Sequence, residues 1–230
     1  KLAITHRMQS FDLNAIKNFG FISCWQTELL AGFRYWDFIQ RLGFHTESPY
    51  IPPFPADIYQ TRDKFNVRNN FYGAQLGAKF TRCWDCLVVN AVGKVAFGGL
   101  HQVLDIHGRL LTNDFNGYGL PVKYQGGYFA QPSNIGHHHR NVFSVLPEAG
   151  INICYQWTHQ FRLQIGYSFL FVSNGLWAPK QISDKINPTQ STNLAYVPDP
   201  VPSGPALPKA RLKSECFWAQ GISAGFSYQY

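Results

Sequence analysis

Apolar and polar residues alternate along this chain with a period of two. The clearest segment is Gln160 to Val172. Phe161, Leu163, Ile165, Tyr167, Phe169 and Phe171 fall on one face, and Arg162, Gln164, Gly166 and Ser168 on the other. Six apolar residues in register fit a strand and no helix. The segment before it, Phe143 to Trp157, sets Phe143, Val145, Pro147, Ala149, Ile151, Ile153, Tyr155 and Trp157 against Ser144, Glu148, Gly150, Asn152 and Gln156. Only Thr158 and His159 separate the two segments, which predicts a tight hairpin. The same alternation marks Trp25–Tyr35, Tyr72–Phe80, Leu87–Phe97 and the final Phe217–Tyr230. It is less clean over Ile4–Ala15, where Phe11 and Leu13 oppose Asp12 and Asn14. The pattern predicts seven strong strands.

The connections alternate in length. Short ones follow Ala15, Phe80 and Trp157, and long ones run near 44–66, 98–140 and 173–215. The long ones hold most of the proline, including Pro49, Pro52, Pro53, Pro55 and the 198–208 cluster. Short turns on one side and long loops on the other are the organisation of a transmembrane antiparallel barrel. The fold class expected is an all-β, up-and-down transmembrane β-barrel over residues 1–230, a single domain. Bacterial barrels have an even strand number with both termini periplasmic. With seven strands ending in the periplasm, the expectation is an odd number of further strands before Lys1, or one strand the alternation does not reveal, and about 8–12 in the complete protein.

Composition narrows the choice. Charged residues make up 14% and aromatics 16% of the chain, against roughly 25% charged in ordinary soluble proteins. Mean hydropathy is slightly negative, and no stretch reaches the ~18 apolar residues of a spanning helix. Alternating strands cross a bilayer without raising average hydropathy. The net charge of +7 comes from scattered Lys and Arg with no basic run, which argues against nucleic acid as a partner. Cysteines number five, so at least one cannot pair within the chain. Cys83-Trp-Asp-Cys86 has metal or redox spacing, but lacks a second pair; a local disulfide or two unremarkable cysteines fits it better. The pairing of Cys24, Cys154 and Cys216 stays open.

The last eight residues, Ser223 to Tyr230, end on an aromatic. Ser223, Gly225, Tyr228 and Tyr230 hold the places of the C-terminal insertion signal of outer-membrane barrels. Six further words are distributed through the chain: Glu28-Leu-Leu-Ala-Gly-Phe-Arg-Tyr35, Asn70-Phe-Tyr-Gly-Ala-Gln-Leu-Gly77, Ala130-Gln-Pro-Ser-Asn-Ile-Gly136, Gly166-Tyr-Ser-Phe-Leu170, Asn187-Pro-Thr-Gln190 and Phe217-Trp-Ala-Gln-Gly221. Together they resemble the BBP7 family of outer-membrane β-barrel proteins, found mostly in planctomycetes. The resemblance spans nearly the whole chain. It implies a barrel in the bacterial outer membrane with a signal peptide and more strands upstream. It supplies no catalytic residues.

With aromatics facing lipid, the opposite face lines the barrel lumen. That face carries Glu28, Arg34, Gln75, Lys79, Asn90, Lys94, Glu148, Asn152, Arg162 and Gln164. Charges cannot sit unpaired in a dry interior. Mixed signs therefore mean either a plug of ion pairs, with Glu28 and Glu148 against Arg34, Lys79, Lys94 and Arg162, or a wet channel whose basic excess favours anions. A narrow, mostly filled barrel is expected. Trp25, Tyr35, Trp36, Tyr155, Trp157, Trp177, Trp218, Tyr228 and Tyr230 fit interfacial aromatic girdles. His137, His138 and His139 are the weak metal candidates, expected in a solvated external loop. No Ser–His arrangement nominates a nucleophile, so neither an enzyme nor a cofactor is expected.

The expected role is a structural or surface barrel, with no catalysis. Its partners are the lipid bilayer, the barrel-assembly machinery and other outer-membrane proteins or further copies of itself. The C-terminus is expected in the periplasm and the long loops outside. A narrow porin-like channel for small solutes is the first alternative, and a soluble barrel or sandwich binding an apolar ligand is the second.

Overall fold

The computed structural model describes residues 1–22, 24–47, 59–112, 120–192 and 201–228. Eight strands follow one another: β1 (Leu2–Ile22), β2 (Trp25–Glu47), β3 (Tyr59–Trp84), β4 (Leu87–Thr112), the short β5 (Val122–Gln125), β6 (Gly136–Gln156), β7 (Phe161–Leu176) and β8 (Ser214–Tyr228). All pairing is antiparallel, in the order β1-β2-β3-β4-β6-β7-β8, with β5 beside the end of β4. The seven long strands are the seven that alternation predicts. Among the described residues β1 and β8 each pair on one side only. The molecule is an up-and-down sheet curled into a half-barrel.

Tight turns close one end. β3 and β4 meet through Asp85 and Cys86. β2 follows Cys24, which has φ 68°. Between β6 and β7 the Thr158 hydroxyl accepts the amides of Gln160 (3.3 Å) and Phe161 (3.0 Å).

The strands are much longer than the alternation of outward apolar residues suggests, and the polarity of the two faces explains why. From the tight turns up to Tyr35 on β2, the convex face is apolar: Trp25, Leu29 and Phe33 are all exposed there. Beyond Tyr35 the pattern inverts. Trp36, Phe38 and Leu42 are buried on the concave face, while Arg41 is exposed on the convex one. The same inversion puts Phe65, Val67 and Phe71 of β3 and Leu100, Leu104 and Ile106 of β4 inside. The regions near 44–66, 98–140 and 173–215, read as loops from sequence, thus hold strand at their borders. The long strands reach Glu47, Thr112 and Leu176, and the next long strands begin at Tyr59, Gly136 and Ser214. An alternation that reverses its phase weakens the signal of a single-phase strand.

Two connections fold back over this upper part and fill it. Segment 126–135 docks on Asp63, whose buried carboxylate accepts the amides of Tyr128 (2.9 Å) and Ala130 (3.0 Å). Gln131 and Asn134 brace the turn, through Gln131 Nε2 to Gly127 O (2.6 Å) and Gln131 N to Asn134 Oδ1 (2.7 Å). The second segment leaves β7 at a register shift between Val172 and Gly175, with Asn174 at φ 61°, a left-handed conformation asparagine tolerates. It then crosses to β3. Asn69 donates to Leu176 O (3.0 Å) and accepts from Leu176 N (2.8 Å), and Gln40 accepts from Ala178 N (2.9 Å). Two apolar clusters result, one around Trp36, Phe38, Phe71, Leu146 and Phe217, the other around Leu42, Phe65, Leu104, Ile106 and Leu176.

Burial raises the Asp63 carboxyl above its ordinary value of 3.8, opposed by the backbone amides of Tyr128, Ala130 and Phe129. A carboxyl with a raised folded value stabilises the fold fully below its unfolded value and loses that contribution as pH rises through the folded one. Acidification from neutrality towards about pH 4 should therefore tighten the docked 126–135 segment. Hydrogen exchange at the Tyr128 and Ala130 amides, corrected for intrinsic rates, should slow; Asp63→Ala should abolish both the protection and its pH dependence.

Candidate functional site: a charge cluster across the concave face

Below the apolar clusters the concave face is polar, and its charged residues come from two separate pairs of neighbouring strands. Asp12 lies on β1, Arg34 on β2, Lys94 on β4 and Glu148 on β6. Lys94 Nζ is 2.8 Å from Asp12 Oδ2 and 3.1 Å from Glu148 Oε1. Arg34 pairs with Glu148 through Nη1, and its Nε is 3.5 Å from Asp12. Two cations and two anions thus close a ring across the bore. Arg34 is buried and the other three are largely covered.

Asp12 faces Arg34, and Lys94 faces Glu148, across adjacent strands; the other two contacts cross rows. The register row of Arg34 passes through Gly73 and Gly98 and reaches β6 at Ser144. Arg34 meets Glu148 instead, four residues nearer the tight turns. Asp12 is likewise displaced by four from Ile16, which shares the row of Lys94. Tilted strands curling into a barrel accumulate such a stagger, so residues facing each other across the bore are offset along their strands. The inward glycines make room. A Cβ on Gly98 would come within 2.5 Å of Gly73 Cα. Gly32 sits between Asn14 and Gln75 in one row, and over it Gln75 Nε2 donates to Asn14 Oδ1 (2.6 Å).

The register puts all ten residues assigned to the lumen from sequence on this concave face. Glu28 pairs with Lys79 (3.1 Å) and accepts from Gln26 (2.9 Å). Asn90 accepts from Thr81 (2.8 Å). Arg162 donates to Gln156 (2.8 Å) in place of a carboxylate. Asn152 and Gln164 are exposed nearer the tight turns. Asp12 and Asn14 were not in that set, although their opposition to Phe11 and Leu13 was the signal for them.

Other expectations meet the structure differently. Trp36 and Trp177 belong to no girdle: Trp36 is 1% exposed, and both pack against Phe38 and Phe217. Trp36 directly follows the last outward aromatic of β2, so it points the other way. Trp25, Tyr155, Trp157 and Tyr228 are exposed near the tight turns, and Tyr72 and Trp218 near the other rim. Tyr35 packs on Tyr72 at 5.1 Å. Arg82 lies over Trp25 (4.6 Å) and Trp84 (4.5 Å). The histidine run lies in β6, not in a loop, so its side chains alternate. His137 bonds Asp105 (2.5 Å), and His138 bonds Asn134 O (3.1 Å) from the opposite face. No group of three His, Cys, Asp or Glu among the described residues could hold a metal ion. Cys24, Cys83, Cys86, Cys154 and Cys216 are free thiols. Of the C-terminal signal residues, Ser223, Gly225 and Tyr228 lie in β8, and Tyr230 is outside the described residues.

No helix among the described residues is long and apolar enough to cross a membrane. The strands are suited to the task. Trp25 to Tyr35 covers about 11 residues, the length a strand tilted by about 45° needs to cross a bilayer. An apolar convex band edged by aromatics, around a concave face of ion pairs, defines a transmembrane β-barrel protein. The family comparison makes this specific. The model of the family described as "Putative beta barrel porin-7 (BBP7)" matches residues 2–230, and the chain belongs to that family. Neither a curated protein nor a solved structure matches it. Membership in a porin family places the chain in a lipid bilayer, in the outer membrane.

Lys94 is the sole residue of the ring with close contacts to both carboxylates through one atom. Lys94→Ala should destabilise the barrel by about 3 kcal/mol, the cost of leaving covered charge without its partner. The double variant Lys94→Met, Glu148→Leu should lose less, because it keeps Arg34 with Asp12. Urea unfolding in lipid vesicles, followed by tryptophan fluorescence, gives both values.

Proposed function

We propose that this protein is an occluded outer-membrane barrel with a structural, complex-forming role and no catalysis. The observation that carries this reading is the filled bore. The ring of Asp12, Arg34, Lys94 and Glu148 spans it, and the apolar clusters around Trp36 and Leu42 lie beyond. Ions crossing that region would have to displace paired charges and a dry core, both costly. The work of the molecule then falls to the long connections, where recognition residues concentrate on a rigid scaffold. In this reading they face outward from the cell, and the tight turns and C-terminus face the periplasm, where assembly machinery reads the final strand. In this reading the edges of β1 and β8, unpaired among the described residues, are covered by further strands or by another chain, since unpaired backbone in hydrocarbon is not tolerated.

The family description favours a second reading, passage of small solutes. The concave face carries four basic residues (Arg34, Lys79, Lys94, Arg162) and three acidic ones (Asp12, Glu28, Glu148) on the polar stretch. Any path along it would prefer anions.

Planar-bilayer conductance of the detergent-extracted full-length protein separates the two. The expected result is stable insertion without discrete current steps. Asn69→Ala, which removes both hydrogen bonds holding Leu176, should produce intermittent steps. Regular anion-selective steps from the unaltered protein would establish the channel instead.

A further inference from the structure

The convex face changes character abruptly above the aromatic rim. Below Tyr35 and Tyr72 it is apolar; above them β1, β2 and β3 expose Arg7, Arg41, Arg62, Lys64 and Arg68. Asp37 and Glu47 are the acids that these three strands place there; Asp105 of β4, in the row of Arg41, is engaged by His137 (2.5 Å). Asp37 is 1% exposed and does not compete for ligand. It is held by Asn70 Nδ2 (2.8 Å) and in turn positions Arg68 (3.2 Å) and Arg7 (3.5 Å). The two arginines flank Ile39 in one register row, which sets their backbones about 10 Å apart. Arg41 stands two residues further along β2. A hollow of about 210 Å³ lies among Arg7, Ile39 and Arg41. Arg7 and Arg68 remain at least half as exposed as free side chains, so their guanidinium groups keep unused donors.

The position of this cluster decides what it meets. It lies within a few residues of the rim at which the apolar band ends, the depth of lipid headgroups. Guanidinium groups in a rigid fork suit phosphate oxygens, and each basic group near an anionic surface adds attraction that decays over about 8 Å at physiological salt. We propose that Arg7, Arg41 and Arg68 form a binding surface for the phosphate headgroups of anionic lipids in the leaflet at the long-connection rim. The buried Asp37 is the positioning residue that holds two of the three arginines ready.

The test embeds the full chain in nanodiscs of phosphatidylcholine with increasing phosphatidic acid, and measures retention of the anionic lipid by native mass spectrometry. The unaltered protein should prefer phosphatidic acid, and less so as salt rises. Arg7→Gln, Arg41→Gln, Arg68→Gln together should lower the preference by roughly a hundredfold, and Arg41→Gln alone by about fivefold. Arg41 makes no ion pair among the described residues, so its single replacement keeps the test decisive if the triple variant misfolds. Lys17→Gln, Arg82→Gln, on the opposite rim, should leave the preference unchanged. The proposal is overturned by an unaltered protein without preference, by an equal loss in the opposite-rim variant, or by displacement of the lipid by millimolar inorganic phosphate, which would mark a free-anion site.

Discussion

Each long strand of this protein passes through two solvents, and that constraint organises the rest. Near the tight turns its convex face lies in hydrocarbon, where side chains must be apolar and every backbone group must be paired within the sheet. Polar side chains are consequently restricted to the concave face, where they neutralise one another as Asp12, Arg34, Lys94 and Glu148 do. Past Tyr35 the convex face meets water and can be charged, so the apolar residues move inside and need cover. The returning segments 126–135 and 174–182 supply it. The ion ring, the inverted core and the folded-back connections are three answers to one change of surroundings.

The sheet was legible in the sequence as far as this constraint keeps a single phase. Phe161 to Phe171 and Leu29 to Tyr35 show it, and so does the placement of Glu28, Arg34, Lys94 and Glu148 on one face. Legibility failed where the phase reverses. Trp36 follows Tyr35 in sequence yet faces the opposite way, and Phe38, Leu42, Leu104 and Ile106 are as apolar as any lipid-facing residue. Nothing local distinguishes a side chain that seeks lipid outside from one that seeks a core inside. The two pairs that cross the bore, Arg34–Glu148 and Lys94–Asp12, were equally hidden, because the four-residue stagger between Arg34 and Glu148 is a property of the curled sheet and not of any one strand. Asp12 could have been read from its alternation with Phe11 and Leu13.

The loop words that carried the family resemblance have physical tasks. In the Ala130–Gly136 word, Gln131 and Asn134 tie the turn that docks on Asp63. In Asn187–Gln190, Asn187 accepts from Thr189 N (3.1 Å) and donates to Ser203 O (2.6 Å), and Gln190 donates to Gly204 O (3.2 Å), so one short segment organises another. Such amides satisfy backbone groups that no strand pairing reaches. They show no periodicity and are found only as specific residues.

The stagger has a bearing on how the sheet finds its alignment. A slip of one residue between two strands exchanges their faces. Were β6 to slip by one residue on β4, Glu148 would turn towards hydrocarbon and Lys94 and Arg34 would lose their shared anion. A carboxylate on a lipid-facing surface costs somewhat less than a basic residue at the midplane, which costs about 2–4 kcal/mol, and the covered cations left without their anion add about 3 kcal/mol or more. Glycine-rich stretches such as Gly73, Gly77, Gly93, Gly98 and Gly99 offer little side-chain resistance to such sliding. The ring of charges therefore acts as a check on registration: it is silent in the correct alignment and severe in every neighbouring one.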